Sequence, residues 1–430
     1  MVLARCGGAP AVPQSQAKGA AQINILYGGG GPDVRALYDR GAYAKFNQKY
    51  PGSTINMDDA GNPMSKVLTL HAAGSAPDII QGGDTWTYDV DHLKLGLPLD
   101  DKLKTWDARS DFTKSAWESG QSSGKQWGLP LFVTARMLYL RKATLDEVSI
   151  RTPATTWEEV VDTMKRSTKV ENGRIVRQAS NAPGDGDAWW WFFWLLQTTE
   201  SNLLKDGKAG FNGGEGEVTL QYMKDLQNAI FPAGVEQMGG NAPANWSAGS
   251  VAHAWIHLQP YQDLRKTSEK DYQDMIMSTP QIPGGVAYRM PGNKKVVPHT
   301  FVDNALIFIS SQSKYPDHAL ELSKLFLEPE TLLEFERIRG RLSPRKSNFN
   351  TGWMADPKIK QIVEVYEKYG HARYNPPNFD GCTAAINKVV WDVVRDQKIG
   401  IKEGLAALTR DLEQLARDAN YTGTTRVHTG

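Results

Sequence analysis

Residues 22–46 read QINILYGGGGPDVRALYDRGAYAKF, and this stretch decides the fold class of the chain. Ile23 and Ile25 alternate with polar residues before four glycines, and apolar residues then recur at helical spacing. Further strand patterns come at residues 54–57 and 77–80, with a helical pattern between them. Strands alternating with helices of this length predict an α/β fold, in which ligands bind beyond the carboxyl ends of parallel strands.

Size and composition indicate a compact protein with more than one core. The chain has 430 residues, of which 23% are charged and 40% hydrophobic, as in ordinary globular proteins. This length exceeds that of a common single domain, so two domains are expected. The 49 basic and 48 acidic side chains leave a formal net charge of +1. Without a long block of like charge, nucleic acid is not an expected partner.

Neither a membrane-spanning segment nor cysteine chemistry is expected. The longest apolar run, residues 189–196 (WWWFFWLL), is far shorter than the ~20 residues that a spanning helix needs. Cys6 and Cys382 are the two cysteines, and they stand at opposite ends of the chain. A disulfide framework or a cysteine metal site is therefore not predicted. Cys382 is expected to be a small buried residue, and no cofactor or metal is expected.

Local patterns also predict the boundaries of individual helices. Thr156, with Glu159 three residues later, predicts a capping box at the start of a helix. Apolar side chains at helical spacing over residues 401–415 predict an amphipathic helix near the end of the chain. In the tryptophan run at 189–191, some indoles must lie in the core, because a helix of that composition cannot face water on all sides.

Residues 1–21 lack hydrophobic periodicity and are interpreted as a signal remnant followed by a flexible tether. Within them, residues 3–7 (LARCG) resemble the end of a bacterial lipoprotein signal, in which the cysteine becomes the lipidated first residue of the mature chain. Arg5 departs from that pattern, which has a small residue at its position. Lipidation of Cys6 is the expectation, and an ordinary thiol is the alternative.

Short motifs follow one another in a fixed order along most of the chain. They are residues 46–52 (FNQKYPG), 70–80 (LHAAGSAPDII), 97–101 (LPLDD), 124–130 (GKQWGLP), 152–159 (TPATTWEE), 247–254 (SAGSVAHA), 282–285 (IPGG) and 340–347 (GRLSPRKS). In this order they resemble extracellular solute-binding protein family 1, the substrate-binding proteins of sugar ABC importers. The sequence departs from the family pattern at residues 140–142 (LRK) and at His253, where the family usually has methionine.

The resemblance implies a two-lobed α/β fold, with a mostly parallel sheet flanked by helices in each lobe and hinge crossovers between the lobes. The crossings are expected near Leu131, Thr300 and Arg345. The expected divisions are 1–21 for the tether, 22–131 and 300–345 for the N-terminal lobe, and 132–299 and 346–430 for the C-terminal lobe.

The resemblance also implies a function. The chain is expected to be an extracytoplasmic, monomeric binding protein that captures a mono- or oligosaccharide by lobe closure and delivers it to the permease subunits of an ABC importer. Its only expected contact with the membrane, apart from that permease, is a lipid anchor at Cys6. A glycerophosphodiester, a polyol or an aminosugar is the alternative ligand. A glycoside hydrolase is a remote alternative, because the ordered motifs do not resemble a hydrolase family and the sequence holds no His-Glu-x-x-His motif.

A carbohydrate site needs polar groups that replace water hydrogen bonds and aromatic plates that cover the C–H faces of the rings. The 13 tryptophans make such plates available. The predicted ligand-binding residues are Gly30, Asp59, Asn62, Asp84, Trp86, Thr134, Arg136, Asp187, Trp189, Trp246, Trp255, His257, Asp303, Asn304 and Arg345. Trp86 and Trp255, one from each lobe, are expected to lie on the cleft, with at least one stacked on the ligand.

Several of these residues have plain structural interpretations as well. The glycine loop that contains Gly30 serves equally as a strand-to-helix turn, and it lacks the Gly-Lys-Ser/Thr ending of a nucleotide loop. Asn62 suits a helix cap. Arg136 suits a salt bridge at the hinge, His257 a satisfied buried imidazole, and Arg345 the surface of a lobe. The aspartates among the candidates outnumber the cations, which favours a neutral or cationic saccharide.

Overall fold

The structure is a computed structural model of the 430-residue chain. It describes residues 18–28, 30–59, 64–184, 186, 188–237, 246, 248–278, 288, 296–373 and 375–425. Helices and strands alternate along much of this length, as the α/β prediction requires. Among the described residues, no helix combines the length and apolar character needed to cross a membrane.

The strands form two sheets of three or more strands and several two-stranded ribbons. They are β1 (Gln22–Leu26), β2 (Thr54–Asp58), β3 (Ile79–Gly83), β4 (Gln121–Ser122), β5 (Lys125–Gln126), β6 (Gly128–Ala135), β7 (Met137–Arg141), β8 (Lys169–Glu171), β9 (Arg174–Arg177), β10 (Leu204–Lys205), β11 (Lys208–Ala209), β12 (Ala254–Ile256), β13 (Met275–Ser278), β14 (Thr300–Ile309) and β15 (Gly370–Ala372).

Helices cover the sheets and fill the space around them. They are α1 (Gly31–Tyr38), α2 (Ala44–Lys49), α3 (Met64–Ala72), α4 (Thr87–His92), α5 (Asp100–Leu103), α6 (Lys114–Ser119), α7 (Lys142–Glu147), α8 (Trp157–Ser167), α9 (Trp189–Thr198), α10 (Glu215–Ile230), α11 (Leu258–Thr267), α12 (Glu269–Asp274), α13 (Pro316–Phe326), α14 (Pro329–Arg339), α15 (Pro357–Tyr369), α16 (Phe379–Val390) and α17 (Ile401–Asp418).

The first sheet has the strand order β15-β14-β3-β1-β2, and β6 also pairs with β14. Strand β1 runs parallel to both of its neighbours, with Ile25 opposite Met57 on one side and Ile79 on the other. Strand β14 is antiparallel to β3 and β6 and parallel to β15. Apolar clusters lie on both faces of this sheet, one including Ile25 and Ile79 and the other Leu26 and Ile80.

The second sheet is smaller, with the order β12-β7-β13. Strand β7 is antiparallel to both neighbours and is buried along its whole length. The expectation of a mostly parallel sheet in each lobe therefore holds for the first sheet and is wrong for the described strands of the second. The reason is that β7 gains its partners from chain segments that return to it in the opposite direction, at Trp255 opposite Leu138 and Ile276 opposite Leu140.

A single residue separates the strands of the two sheets. Strand β6 ends at Ala135 and β7 begins at Met137, so the chain passes between the sheets at Arg136. The backbone N–H of Arg136 donates to the carbonyl of Phe301, 3.0 Å away, so β14 braces this passage. Leu131 lies within β6, Thr300 begins β14, and the domain limits remain a prediction.

Helix α9 shows how the sequence builds the second core. All of its residues after Trp189 are buried, including Trp190, Trp191 and Trp194. A helix that is apolar on every side is stable only when surrounded by other elements. The expectation that some indoles of this run belong to the core is confirmed. Helices α10 and α16 and the π-helical turn at residues 391–395 pack around α9.

Candidate functional site

Polar side chains follow the carboxyl ends of the parallel strands in the first sheet. Asp59 comes directly after β2, and its carboxylate accepts hydrogen bonds from the N–H groups of Gly30 and Gly31 at 2.7 and 2.6 Å. Gly31 has φ of +65°, a conformation that glycine adopts without strain, and it begins α1. Asp59 thus places a negative charge at the positive end of the helix, and it occupies the amides that a phosphate would need.

Asp84 follows β3 and is the centre of a buried network. It is only 3% exposed, and its carboxylate accepts hydrogen bonds from the backbone N–H and the side-chain amide of Asn304, at 3.0 and 3.1 Å. Arg373 donates to the other carboxylate oxygen, with Nε at 2.7 Å and Nη2 at 2.5 Å. Asn304 and Arg373 together hold this carboxylate in one orientation.

Arg373 also binds Asp303, which lies in β14, so one guanidinium joins two carboxylates. Burial would lower the pKa of Arg373, but Asp303 and Asp84 outweigh it and raise that pKa. Burial raises the pKa of Asp84 despite the opposing charge of Arg373. The trio is a buried ion network in which each carboxylate depends on the same arginine.

Arg136 lies on the other side of Asp303. Its Nε is 3.9 Å from the Asp303 carboxylate, and its guanidinium carbon is 4.5 Å from the centre of the Trp190 ring. Thr134 stands opposite Asp303 in the register of β6 and β14. Arg136 thus makes the ion pair that was the structural alternative for this residue, and its contact with a ligand stays a prediction.

Trp189 presents the aromatic surface beside this network. It is half-buried, makes edge contact with Phe379 at a centroid distance of 5.2 Å, and lies 5.4 Å from the Arg373 guanidinium. Phe301 of β14 is 6.0 Å from the same ring. Helix α9, strand β14 and the start of α16 therefore place carboxylates, an arginine and an indole at one location.

A second polar group surrounds His257. Arg341 donates from Nη1 to His257 Nδ1 and to Gln259 Oε1, both at 3.3 Å. Burial, and then the positive charges of Arg341 and Arg136, lower the pKa of His257 to about 3. The imidazole is therefore neutral at physiological pH, and because Nδ1 accepts, Nε2 carries the proton.

Two tryptophans of the predicted site lie in cores. Trp255 is 2% exposed and makes a T-shaped contact with Trp191 at 4.9 Å, because β12 pairs with β7 beneath α9. Trp246 is fully buried beside Tyr139. Neither indole offers a face to a ligand in this conformation, so the expectation that Trp255 lies on the cleft is not met.

Trp86 and Arg345 lie in contrasting surroundings. Trp86 is half-buried and covers Gly82, where an added Cβ would lie only 2.2 Å from the indole. Arg345 is 8% exposed, pairs with Asp111 at 2.7 Å and donates to the Leu327 carbonyl. Trp86 keeps part of its surface accessible, whereas Arg345 is a structural residue of the first sheet's periphery rather than a surface residue.

Three predicted residues, Asn62, Asp187 and Cys6, lie outside the described residues. Among the residues that are described, no group of three or more histidine, cysteine or acidic side chains is placed to hold a metal ion. Cys382 is fully buried, as expected, and burial raises the pKa of its thiol.

A cavity of about 310 Å³ adjoins the buried network and is lined by Asp84, Arg373, Tyr88 and Tyr421. A larger cavity, of about 820 Å³, lies between α1, α14 and α11, and no predicted site residue lines it. The smaller cavity is the one associated with the polar network.

Arg373 and Arg341 are the functional candidates that sequence reasoning missed. Arg341 lies within the motif at 340–347, in which Arg345 was the predicted contact. Arg373 lies in no recognised motif, and it is 289 positions from Asp84. Only the pairing of β14 with β15 brings Arg373 to the network, and neither strand pattern predicts that pairing.

Comparison with known proteins agrees with this architecture. The family model of bacterial extracellular solute-binding proteins matches residues 30–331. A curated binding protein of Brucella abortus (strain 2308) is 26% identical over 117 residues, which is 27% of this chain and 28% of that protein. The aligned stretch therefore spans less than a third of that relative.

Solved structures match over nearly the whole chain. The sugar-binding protein MalE of Xanthomonas citri has a TM-score of 0.76 at 17% identity, covering 93% of this chain and 98% of that one. An ABC transporter solute-binding protein of Thermotoga lettingae, bound to α-D-tagatose, has a TM-score of 0.72 at 17% identity, covering 92% and 100%. These likenesses confirm the two-lobed α/β fold expected from the sequence.

Proposed function

The chain belongs to the bacterial extracellular solute-binding protein family, and from this we propose that it is the component of an ABC importer that captures a carbohydrate and delivers it to the membrane permease. Members of this family bind solutes and are not enzymes, so a glycoside hydrolase is no longer a competing interpretation. The family name also assigns the chain to the outside of the cytoplasm.

The observation that carries the carbohydrate proposal is the meeting of Asp303, Arg136 and Trp189 at the passage between the sheets. A carboxylate and a guanidinium supply acceptors and donors for hydroxyl groups, and a half-buried indole supplies an apolar face. The passage is also where two lobes would close on a ligand. The Xanthomonas citri and Thermotoga lettingae proteins are described as binding sugars, which supports the same ligand class.

We propose a division of roles among the described residues. Trp189 is the ligand plate, with Arg136, Asp303 and His257 as hydrogen-bonding partners. Asp59 and Gly30 form the opposite wall through their mutual hydrogen bond. Asp84, Asn304 and Arg373 orient this group from behind, because their polar atoms are mostly engaged with one another.

A thermal-shift screen tests the ligand class. A ligand that binds only the folded protein stabilises it by mass action and so raises the melting temperature. At a free ligand concentration a hundred times the dissociation constant, the free energy of unfolding increases by about 2.7 kcal/mol. The screen compares mono- and oligosaccharides with a polyol, a glycerophosphodiester and an aminosugar. A shift with saccharides supports the proposal, and a shift confined to one of the other classes replaces it with that class.

The anchor and the oligomeric state are separate parts of the proposal. We propose that the mature chain is a monomer that begins at Cys6 and carries lipid there, with residues 7–21 as its tether. Mass spectrometry of membrane-extracted protein tests the first residue of the mature chain and its lipidation. An unmodified chain that retains residues before Cys6 would contradict it.

A further inference from the structure

Arg341 has donors that nothing in the described structure uses. Its Nη1 donates to His257, Gln259 and the carbonyl of Gly340. Its Nε is buried and has no hydrogen-bond partner, and Nη2 makes no bond to any described residue. The Nε–Nη2 edge of a guanidinium is the fork that binds the two oxygens of a carboxylate. An unused fork of this kind is a costly feature unless a ligand completes it.

The surroundings of Arg341 are positive. No carboxylate of the described residues lies within 4.0 Å of its nitrogens. Burial, followed by the like charges of Arg339 and Arg136, lowers the pKa of Arg341 to about 10, with Asp303 opposing them. Arg339 itself makes no ion pair with a described residue and lies near the end of β1, where its charge also acts on Tyr27.

The nearby carboxylates are already committed to other partners. Asp303 and Asp84 share Arg373, and Asp59 caps the start of α1. Three of the candidate aspartates thus already have partners within the fold. Arg339 and Arg136 add like charge near Arg341, and Asp303, which opposes them, is already paired with Arg373.

We propose that the captured saccharide is acidic and that Arg341 binds its carboxylate through the Nε–Nη2 fork. This inference rests on the proposed function and specifies its substrate class as uronic acids or uronate oligosaccharides. Neutral His257 adds its Nε2–H as a donor without adding charge. A carboxylate suits the fork better than a phosphate, because the amides of Gly30 and Gly31 that a phosphate would use are occupied by Asp59.

Matched ligand pairs test the inference with the full chain. Calorimetric titration compares galacturonate and digalacturonate with galactose and its disaccharide, with galactose 1-phosphate as the phosphate probe. The variant is Arg341→Gln, and the control is Arg174→Gln, which removes the same charge from an exposed side chain that pairs with Glu236 at 3.6 Å. Circular dichroism verifies folding. If Arg341→Gln does not fold, Arg341→Lys replaces it as the test variant, because lysine keeps the charge and loses the fork.

The expected result is that uronates bind at least about tenfold more tightly than their neutral counterparts, and that Arg341→Gln removes about tenfold or more of that affinity. Uronate binding weakens with added salt, and Arg174→Gln leaves it unchanged. Neutral sugars that bind wild type as tightly as uronates do, or uronates that bind Arg341→Gln as tightly as wild type, overturn the inference and leave carbohydrate capture standing. Binding of the phosphate probe alone also overturns it. If no saccharide of either series binds, the proposed function itself fails.

Discussion

Arg373 is the residue on which the polar core of this protein depends. It is 9% exposed and holds two carboxylates that burial would otherwise make unfavourable. Breaking such a buried network lowers the free energy of unfolding by more than an exposed ion pair raises it, because the charge that remains stays out of water. The same residue touches Trp189, so it links the ion network to the proposed ligand plate.

The tryptophans differ in what they stabilise. Truncating Trp255 to alanine opens a cavity in the second core and should lower the free energy of unfolding by ~3 to 5 kcal/mol. Trp86→Ala should cost clearly less, because part of that indole already faces solvent. Chemical denaturation of both variants measures the difference. Equal losses would show that our assignment of Trp255 to the core is wrong.

Glu336 gives the protein a pH-dependent stability. It is completely buried, and burial raises its pKa well above the usual 4.5, with Ser343 and Asn348 only partly offsetting this. The folded state therefore keeps a proton that the unfolded chain releases as the pH rises above 4.5. Stability attributable to this residue is present at low pH and is lost as the pH rises, by up to about 1.4 kcal/mol per unit.

Glu336→Gln cannot titrate, so its stability should fall less steeply with rising pH than that of wild type. Urea denaturation from about pH 5 to pH 8 measures both slopes. Glu334→Gln is the matched control, since Glu334 is on the same helix but exposed and paired with Arg337. Parallel slopes for wild type and Glu336→Gln would count against a protonated Glu336.

At the scale of elements, the local signals in the sequence were accurate. The capping box of α8 is present, with Glu159 N–H donating to Thr156 Oγ1 at 3.2 Å and the Glu159 carboxylate accepting from Thr156 N–H. The strand, glycine turn and helix at 22–46 are present as well, since a few neighbouring residues determine each of them. Helix α17 spans the predicted amphipathic stretch.

What the sequence could not predict depends on distant partners. Arg373 meets Asp84 across 289 positions, and Trp255 is buried because α9 covers β12. A residue's type and local period do not reveal which element will lie over it. Asp59 and Asp84 follow β2 and β3 as the strand patterns predicted, and parallel strands end at a common edge, but their contact with a ligand stays a prediction. The arginines that complete the site arrive from other parts of the chain.

Strand β3 offers a test at this scale. Gly82→Ala would place a Cβ 2.2 Å from the Trp86 ring, so the indole must move, and we expect a loss of ~1 to 3 kcal/mol together with altered tryptophan fluorescence. Gly41→Ala is the control, because nothing lies within 4 Å of its added Cβ. A Gly82→Ala protein with unchanged stability and fluorescence would contradict the packing of Trp86 on β3.

For the whole molecule, the short connection between the two sheets determines how they can move relative to each other. Only Arg136 separates β6 from β7, and its N–H bonds to β14, so a small change in backbone angles at this passage would reorient one sheet relative to the other. The residues proposed to bind the ligand lie beside the same passage. Binding and closure are therefore expected to be coupled, because a ligand that contacts both sides stabilises the closed arrangement.

Small-angle X-ray scattering with and without saturating saccharide tests this central claim most directly. The account predicts that the radius of gyration, about 22 Å for a compact chain of this length, falls when a binding saccharide is added and stays constant with a saccharide that does not bind. A radius of gyration that is unchanged under conditions where calorimetry shows full occupancy would contradict capture by closure.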